Sequence, residues 1–473
     1  MSLGEQNRFG TLGEKSIPRR TWLNLSLAQQ AIWLDAKLNP QAPIQLGGWA
    51  RIEGDIDEAS ASQALRLVMA RHDALKLRVD DEMPRQWFSH STELPFTVSS
   101  MHVTENVQGN FEVRMAALFG SPLLLGDRPL FCLELIKVHS RLCFLVWRFH
   151  HLIADSVSTT LAMSYWTEAY LAIISDEVPR LASRSSYLNA VSSDEAYLTS
   201  KEYKDDAAYW QERFDPLPPT LIPDMQVNRG KATVFFYSDW SLSCSAWSRI
   251  VALAAKFQIS PSRIFFAAFA ITVAERFQQQ DVVCGIALHR RDSSSMFALG
   301  MFSGVLPFRC YVDMRSPMDR LIRCFSEQID QDMRHQRMPA DLLSRQLGLF
   351  RLGRKHLFEV VMSFLPVDRT QNESLSPDLP VSSGIVALKE ASPVSFHVTE
   401  LISGKAHIRV AVNPEIVRGE EAATLLDTLQ VVVEGVLRDP SVTLENLFSL
   451  NHKEHAIVED RHSSGDDYEE WTI

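Results

Sequence analysis

Two adjacent histidines followed by an aspartate form the part of this sequence whose residue types could do chemistry. The segment 149–156 reads Phe-His-His-Leu-Ile-Ala-Asp-Ser. An imidazole titrates near neutral pH, so it can accept the proton of an amine or hydroxyl nucleophile. Taken singly, a histidine beside a strand is more often a buried core residue, and an aspartate before a helix is usually a cap. The three residues together at this spacing favour a reactive site over those two explanations.

The elements around the histidines are predicted to be a strand, a loop and a helix. Residues 142–149 are aromatic and β-branched, and we expect them to pair as a hairpin with residues 130–138. Residues 157–170 carry apolar side chains at helical spacing, which places Asp155 near a helix N-terminus, where a carboxylate is favoured. Successive residues of a strand point to opposite faces, so only one of His150 and His151 can point into a given cavity.

The segment resembles the HHxxxDG motif of condensation domains of nonribosomal peptide synthetases, members of the chloramphenicol-acetyltransferase-like superfamily. Other stretches resemble family motifs in the same order: Leu25–Leu34, Ala70–Leu75, Gly300–Pro307 and His356–Val361. The resemblance extends from about Leu25 to about Leu450. One position departs from the motif, because Ser156 stands where the family has glycine. If that position requires a positive φ, Ser156 would strain or bend the loop.

The resemblance implies an α+β fold, with α/β two-layer packing, in which two acyltransferase-like lobes form a V with a tunnel between them. We place the first lobe at 21–182, the inter-lobe connection at 183–230 and the second lobe at 231–453. Residues 1–20 are predicted to be a flexible lead. Residues 454–473 resemble a linker to an adenylation domain, although a disordered docking tail is the alternative.

The resemblance also assigns roles to residues of the motif. His151 is the expected catalytic residue, either as a general base or as a group that positions the amine. His150 is expected to turn into the protein and fix the loop. Asp155 is expected to form a structural ion pair with an arginine before Gly300, and counting along the chain favours Arg290, with Arg291 as the second choice.

Four further residues are candidates for lining the tunnel or binding the donor. Arg148 lies in an otherwise apolar strand, where a cation is costly unless it is paired. It could therefore gate the tunnel, contact a phosphate of coenzyme A, or form a structural ion pair. Gly300, Ser303 and Gly304 are expected at a close backbone approach beside the tunnel, with simple packing as the alternative.

The implied reaction joins an acyl thioester to the amine of an aminoacyl group, with both substrates carried on phosphopantetheine and no permanently bound cofactor. No carrier domain fits before Leu25, although an engineered boundary would look the same. The lack of room for a carrier domain, the linker-like residues 454–473 and the opening segment Leu25–Leu34 together favour a starter domain. Such a domain takes fatty acyl-CoA and an aminoacyl carrier protein. The alternatives are a peptide-extending domain, an O-acyltransferase and a non-catalytic scaffold; an epimerising relative would need a preceding carrier domain.

Composition limits the partners. The chain has 473 residues and a formal net charge of −11, without a basic stripe for nucleic acid. We find no signal peptide and no membrane span, and we expect a cytoplasmic monomer. The six cysteines lack metal spacing and most lie in apolar runs, so we expect buried free thiols and no metal site.

Overall fold

The computed structural model describes residues 21–38, 44–101, 106–179, 186–222, 235–354, 356–366, 381–387, 392–401 and 403–449. The predicted lead (1–20) and tail (454–473) lie outside these residues, as does part of the predicted connection. The described helices are α1 Leu27–Leu38, α2 Glu58–Arg71, α3 Val107–Gly120, α4 Ser156–Ile174, α5 Leu188–Leu198, α6 Lys201–Arg213, α7 Cys244–Phe257, α8 Pro261–Arg276, α9 Met318–Met333, α10 Ala340–Gln346 and α11 Glu421–Arg438. Short 3-10 helices span Asp73–Lys76 and Leu349–Leu352.

The described strands form three sheets. They are β1 Leu23–Asn24, β2 Gln45–Ile52, β3 Leu77–Val79, β4 Arg85–Phe88, β5 Phe96–Ser100, β6 Phe131–His139, β7 Leu142–His150, β8 Phe236–Leu242, β9 Asp281–Leu288, β10 Gly304–Tyr311, β11 Val360–Leu365, β12 Val381–Ala387, β13 Val394–Glu400 and β14 Ala406–Val412. The sheet orders are β1-β4-β3, β12-β2-β7-β6-β5 and β10-β9-β11-β13-β14-β8.

The five-stranded sheet has apolar side chains on both faces. Leu145, Trp147 and Phe149 of β7 pack in the cluster that contains α2 and α4. Phe144 and Val146, the alternate residues, pack in the cluster that contains α3. This alternation explains why β7 reads as a continuous apolar run, and it puts the predicted hairpin in the interior of the sheet, antiparallel as expected.

The six-stranded sheet forms the core of the second half with helices on one face. Its alternate residues, such as Val360, Val394 and Val410, pack with α7, α8, α9 and α11 in a single large cluster. One strand crosses between the halves: β12 lies within the range predicted for the second lobe but pairs antiparallel with β2 of the five-stranded sheet. The mixed sheets and helices are an α+β arrangement, as predicted.

Two other chain-wide expectations can be compared with the fold. Cys143, Cys284 and Cys310 are buried and Cys132 is half-buried, but Cys244 and Cys324 are exposed, so the expectation of burial is wrong for those two. In the described part of the chain no single helix has the length and apolar character to cross a membrane. The bent pair α7–α8, at 99°, meets those criteria only when its two helices are taken together.

Candidate active site

The two histidines lie where β7 ends and turns toward α4. His150 is the last residue of the strand, and its N–H donates to the Leu130 carbonyl at 2.7 Å. His151 follows the strand, and its N–H donates to the Ile44 carbonyl at 3.1 Å. A turn then closes through the bond from the Ile153 N–H to the His150 carbonyl at 3.0 Å. The pleat therefore decides the direction of His150 only, while the turn sets that of His151.

His150 is buried and points into the protein. Its Nδ1 accepts a hydrogen bond from the Leu152 N–H at 3.1 Å, so the neutral ring carries its proton on Nε2. Burial lowers the pKa of His150 to about 3, with a smaller contribution from the neighbouring His151. A ring that is neutral and bonded within its own loop is suited to fixing that loop.

His151 is half-buried, and its ring orientation follows from one hydrogen bond. Nδ1 lies 3.0 Å from the carbonyl oxygen of Ala154. A carbonyl oxygen only accepts, so Nδ1 carries the proton and the neutral ring has its lone pair on Nε2. Burial lowers the pKa of His151, although Asp155 and two backbone contacts oppose the change. The ring is thus neutral near pH 7, in the state that can accept a proton.

Asp155 is fully buried and joins three segments of the chain. One carboxylate oxygen, Oδ1, caps α4 by accepting from the Ser158 N–H at 2.8 Å, and it accepts from Arg291 Nη2 at 2.6 Å. The other oxygen, Oδ2, accepts from the Phe302 N–H and from Ser303 Oγ, both at 3.2 Å. Both oxygens are used, so Asp155 holds the scaffold and is not free to take a proton from a substrate.

Arg291 is the arginine that pairs with Asp155, and the first choice from the sequence, Arg290, is wrong. Neither side chain of the Asp155–Arg291 pair is exposed. Arg291 also donates to the carbonyls of Ser295 at 3.0 Å and Ala298 at 2.7 Å, and its guanidinium lies 4.3 Å from the centre of the Phe302 ring. Counting back from Gly300 along the sequence selected Arg290, the residue before Arg291. A count does not contain the course of the loop before Gly300, and that course directs Arg291 toward Asp155.

Arg290 instead faces Gly304. It has a positive φ of 42°, and its Nη2 donates to the Val305 carbonyl at 3.4 Å. A Cβ built on Gly304 would lie 2.3 Å from Cζ of Arg290, so the glycine makes room for this guanidinium. The structure therefore brings Arg290 and Gly304 together, away from the carboxylate of Asp155.

Gly300 and Ser303 both contact the segment that follows the histidines, Gly300 at Ser158 and Ser303 at Asp155. The Gly300 N–H donates to Ser158 Oγ at 3.0 Å, and Ser158 Oγ donates to the Gly300 carbonyl at 2.7 Å. A Cβ on Gly300 would lie 2.2 Å from the ring of Tyr187, which explains the glycine. Donor binding by Gly300, Ser303 or Gly304 remains a prediction.

Ser156 and Arg148 have local contacts. Ser156 is the first residue of α4 and is not among the described residues with a positive φ, so the loop does not require glycine there. Arg148 is half-buried and donates through Nη1 to the Leu118 carbonyl and, at 3.3 Å, to the Ser121 carbonyl. A cation is favourable at these carbonyls, which lie at the C-terminal end of α3. Its predicted contact with a donor phosphate is untested.

Three residues that hold this site received no role from the sequence: Ser158, Tyr187 and Gln29. Tyr187 is fully buried, and its hydroxyl donates to the Met301 carbonyl at 2.7 Å and lies 2.8 Å from Ser26 Oγ. Gln29 donates to the Leu152 carbonyl. Gln29 lies in the opening segment that carried the resemblance, which was the only available signal. The partners of Ser158 and Tyr187 are distant in sequence, and no local pattern indicates them.

The site is thus a neutral imidazole on a turn that buried hydrogen bonds and one ion pair hold on both sides. In the part of the chain that the structure describes, no group of three or more histidine, cysteine, aspartate or glutamate side chains could hold a metal ion. Such an arrangement can accept a proton from an amine or hydroxyl group, or position that group, during an acyl transfer.

Comparisons with known proteins place this geometry in a family. The family model described as "Condensation domain" matches residues 20–458. Surfactin synthase subunit 1 of Bacillus subtilis (strain 168) is 23% identical over 445 residues, which are 92% of this chain and 12% of that protein. The isonitrile lipopeptide synthase of Streptomyces coeruleorubidus is 24% identical over 437 residues, 89% of this chain and 29% of that protein. The chain thus spans less than a third of the length of these two relatives.

Solved structures share the fold. A mutant of the starter condensation domain of rhizomide synthetase in complex with C8-CoA has a TM-score of 0.77 at 24% identity, covering 90% of this chain and 96% of that one. The first condensation domain of the calcium-dependent antibiotic synthetase, in complex with a substrate analogue, has a TM-score of 0.75 at 21% identity, covering 90% and 98%. The chain belongs to the condensation-domain family, whose members are acyltransferases that form amide bonds in nonribosomal peptide synthetases.

Proposed function

We propose that this domain transfers a fatty acyl group from coenzyme A to the amine of an aminoacyl group on a carrier protein. His151 acts on the amine as it attacks the thioester carbonyl carbon. The amine–carbonyl bond forms, the carbon–sulfur bond breaks, and the proton from nitrogen leaves through Nε2 of His151 to the coenzyme A thiolate. The products are an amide and free coenzyme A.

The observation that carries this proposal is the bond between His151 Nδ1 and the Ala154 carbonyl. It fixes the tautomer whose Nε2 can accept a proton, and burial lowers the pKa so that the ring is neutral at the pH of the reaction. General-base catalysis of this kind contributes roughly 10²- to 10⁴-fold. Orientation of two tethered substrates contributes as well.

Two observations support acyl-CoA as the donor. Mutants of the starter condensation domain of rhizomide synthetase, which has the same fold, have been solved with C8-CoA bound. An apolar cavity also lies between the five-stranded sheet and the helices α2 and α4. Its lining residues are wholly apolar or aromatic: Leu65, Val68, Leu75, Phe131, Leu133, Trp147, Phe149, Ala162 and Trp166. The cavity is small, about 20 Å³, and neither histidine lines it, so its support for an acyl site is its apolar lining alone.

A mass-spectrometric assay with an aminoacyl carrier protein tests the proposal. We expect amide formation from medium-chain acyl-CoA and none from the same acyl group on a carrier protein. Amide formation only from the carrier-bound donor would show a peptide-extending domain instead. A hydroxy acid on the carrier protein, in place of the amino acid, separates N-acylation from O-acylation.

The apolar cavity gives a second test with a matched pair of variants. Ala162→Val narrows the cavity and should reduce acylation by long chains more than by acetyl-CoA, while Ala172→Val makes the same change at a site on α4 that does not line the cavity. An equal reduction for all chain lengths in Ala162→Val would exclude the cavity as an acyl site.

A further inference from the structure

Two buried glutamine side chains lie behind the histidine turn and contact it directly. Gln29 belongs to α1 and Gln86 to β4, and both are fully buried. The Nε2 of Gln29 donates to the Leu152 carbonyl at 2.8 Å and to Gln86 Oε1 at 2.9 Å. Both protons of this amide group are therefore used, one of them on the residue next to His151.

The oxygen of Gln29 is held as firmly as its nitrogen. Gln29 Oε1 accepts from the Ser26 N–H at 2.8 Å and from Gln86 Nε2 at 2.9 Å. Gln86 Nε2 uses its second proton on the Asn24 carbonyl at 2.8 Å. A reversed Gln29 amide would place its oxygen against the Leu152 carbonyl and its nitrogen against the Ser26 N–H, so the network fixes a single orientation.

Leu152 connects this network to both histidines. Its N–H donates to Nδ1 of His150, and its carbonyl accepts from Gln29. The Leu152 carbonyl also lies inside the span from His151 to Ala154 that the His151 Nδ1 bond closes. The turn whose Ala154 carbonyl sets the orientation of His151 is therefore held, at Leu152, by a side chain from outside the sheet that carries the histidines.

We propose that Gln29 is a positioning residue, which acts through Leu152 to keep the His151 ring in its Nδ1–H tautomer and in its place. The inference rests on the proposed role of His151, because a misplaced base would slow the reaction. Displacing a catalytic group by about 1 Å can reduce the rate by roughly 10²-fold. The tautomer and the pKa of His151 can be measured without the acylation reaction. Failure of this inference can therefore be told from failure of the proposed function.

Histidine-selective ¹⁵N NMR of the intact chain tests the proposal. The chain has 14 histidines, and the spectrum of His151→Gln identifies the His151 signals. In the unaltered protein we expect the Nδ1–H tautomer, with titration below the usual histidine pKa. In Gln29→Leu we expect a mixture of tautomers, titration closer to the usual pKa, and a kcat reduced by roughly 10- to 100-fold with KM changed far less.

Gln328→Leu is the matched control. Gln328 is a half-buried glutamine of α9, and its Nε2 donates to the Tyr209 hydroxyl at 3.3 Å and to Asp332 Oδ1 at 2.9 Å, so none of these contacts involves the histidine turn. The substitution also removes a side-chain amide that makes two hydrogen bonds, so it should lower thermal stability but leave the His151 signals unchanged. Equal changes of the His151 signals in both variants, or no change in Gln29→Leu, would overturn the proposal.

Gln29→Glu serves if Gln29→Leu does not fold. A carboxylate still accepts from the Ser26 N–H and from Gln86, but it cannot donate to the Leu152 carbonyl. When protonated it can donate again. We therefore expect the ratio of the variant's kcat to that of the unaltered enzyme to rise as the pH falls. A ratio that is constant with pH and close to one would contradict the positioning role.

Discussion

Two buried aspartates join distant segments of this molecule, and they differ in how many of their carboxylate oxygens accept hydrogen bonds. Asp155 has both oxygens bonded, including the pair with Arg291 at 2.6 Å. Asp332 of α9 is equally inaccessible, but its Oδ1 accepts from Tyr209 at 2.6 Å and Gln328 at 2.9 Å, while Oδ2 has no hydrogen-bond partner among the described residues. Arg213 pairs with Asp332 only loosely, its Nε lying 3.6 Å from Oδ1.

The difference shows which of the two carboxylate groups the fold pairs completely. Burial raises the pKa of Asp332, against the opposing effects of Tyr209 and Arg213. Asp155, in contrast, is fully bonded to a guanidinium, two backbone N–H groups and a hydroxyl. The complete ion pair is the one next to His151, where the histidine loop must be held, and the looser contact lies where α6 meets α9.

Removing the two carboxylates gives the largest expected contrast. Asp155→Ala leaves Arg291 buried without its partner and should lower the free energy of unfolding by about 3–5 kcal/mol. Asp332→Asn keeps the size of the group, and its amide oxygen can still accept from Tyr209 and Gln328, so it should cost about 1 kcal/mol or less. Urea denaturation measures both, and equal losses would show that the two clusters do not differ.

A double-mutant cycle sharpens the same contrast. Asp155→Leu and Arg291→Met should each be strongly destabilising, but the double variant should cost less than their sum by up to about 3 kcal/mol, because no unpaired charge remains. The parallel cycle with Asp332→Asn and Arg213→Met should show a much smaller coupling, since those groups are 3.6 Å apart. Additivity in the first cycle would mean that the Asp155 pair is not coupled.

Acid should weaken the histidine side of the comparison. The folded-state pKa of His150 is lowered to about 3, so the unfolded state binds a proton that the folded state does not. Stability is then lost as the pH falls below the unfolded pKa of about 6.5, by about 2 kcal/mol between pH 7 and pH 5. His150→Gln should reduce this loss by that amount in denaturation curves at the two pH values; an unchanged pH dependence would contradict the burial of a neutral ring.

Asp332 should have the opposite and smaller dependence on pH. Its folded-state pKa is raised, so the folded state holds the proton more strongly, and this contribution to stability is lost as the pH rises through the raised value. Relative to Asp332→Asn, the unaltered protein should therefore lose stability between pH 4 and pH 7. If the unaltered protein instead gained stability relative to Asp332→Asn as the pH rises, Asp332 would be stabilised as a carboxylate.

Local patterns were enough to predict the elements around the site. The hairpin of β6 and β7 was predicted within one residue at each end, and the helix predicted over 157–170 is α4, Ser156–Ile174. These elements have periodic apolar residues, and the Asp155 carboxylate caps the first turn of α4. The helix α7 received no prediction although Trp247, Ile250, Ala254 and Phe257 have helical spacing.

Other features depend on contacts that no local pattern contains. The pairing of β12 with β2 joins residues more than 300 apart. The choice between Arg290 and Arg291 depends on the course of a loop, and the role of Gln29 depends on a carbonyl 123 residues away. The predicted V shape, tunnel, lobe boundaries and donor contacts remain predictions.

The single-turnover rate of amide formation, with acyl-CoA and an aminoacyl carrier protein, tests the central claim most directly. The account predicts that the unaltered domain forms the amide, that His151→Ala lowers the rate by roughly 10²-fold or more, and that His150→Gln lowers it less. A folded His151→Ala variant that forms the amide at the unaltered rate would contradict the account.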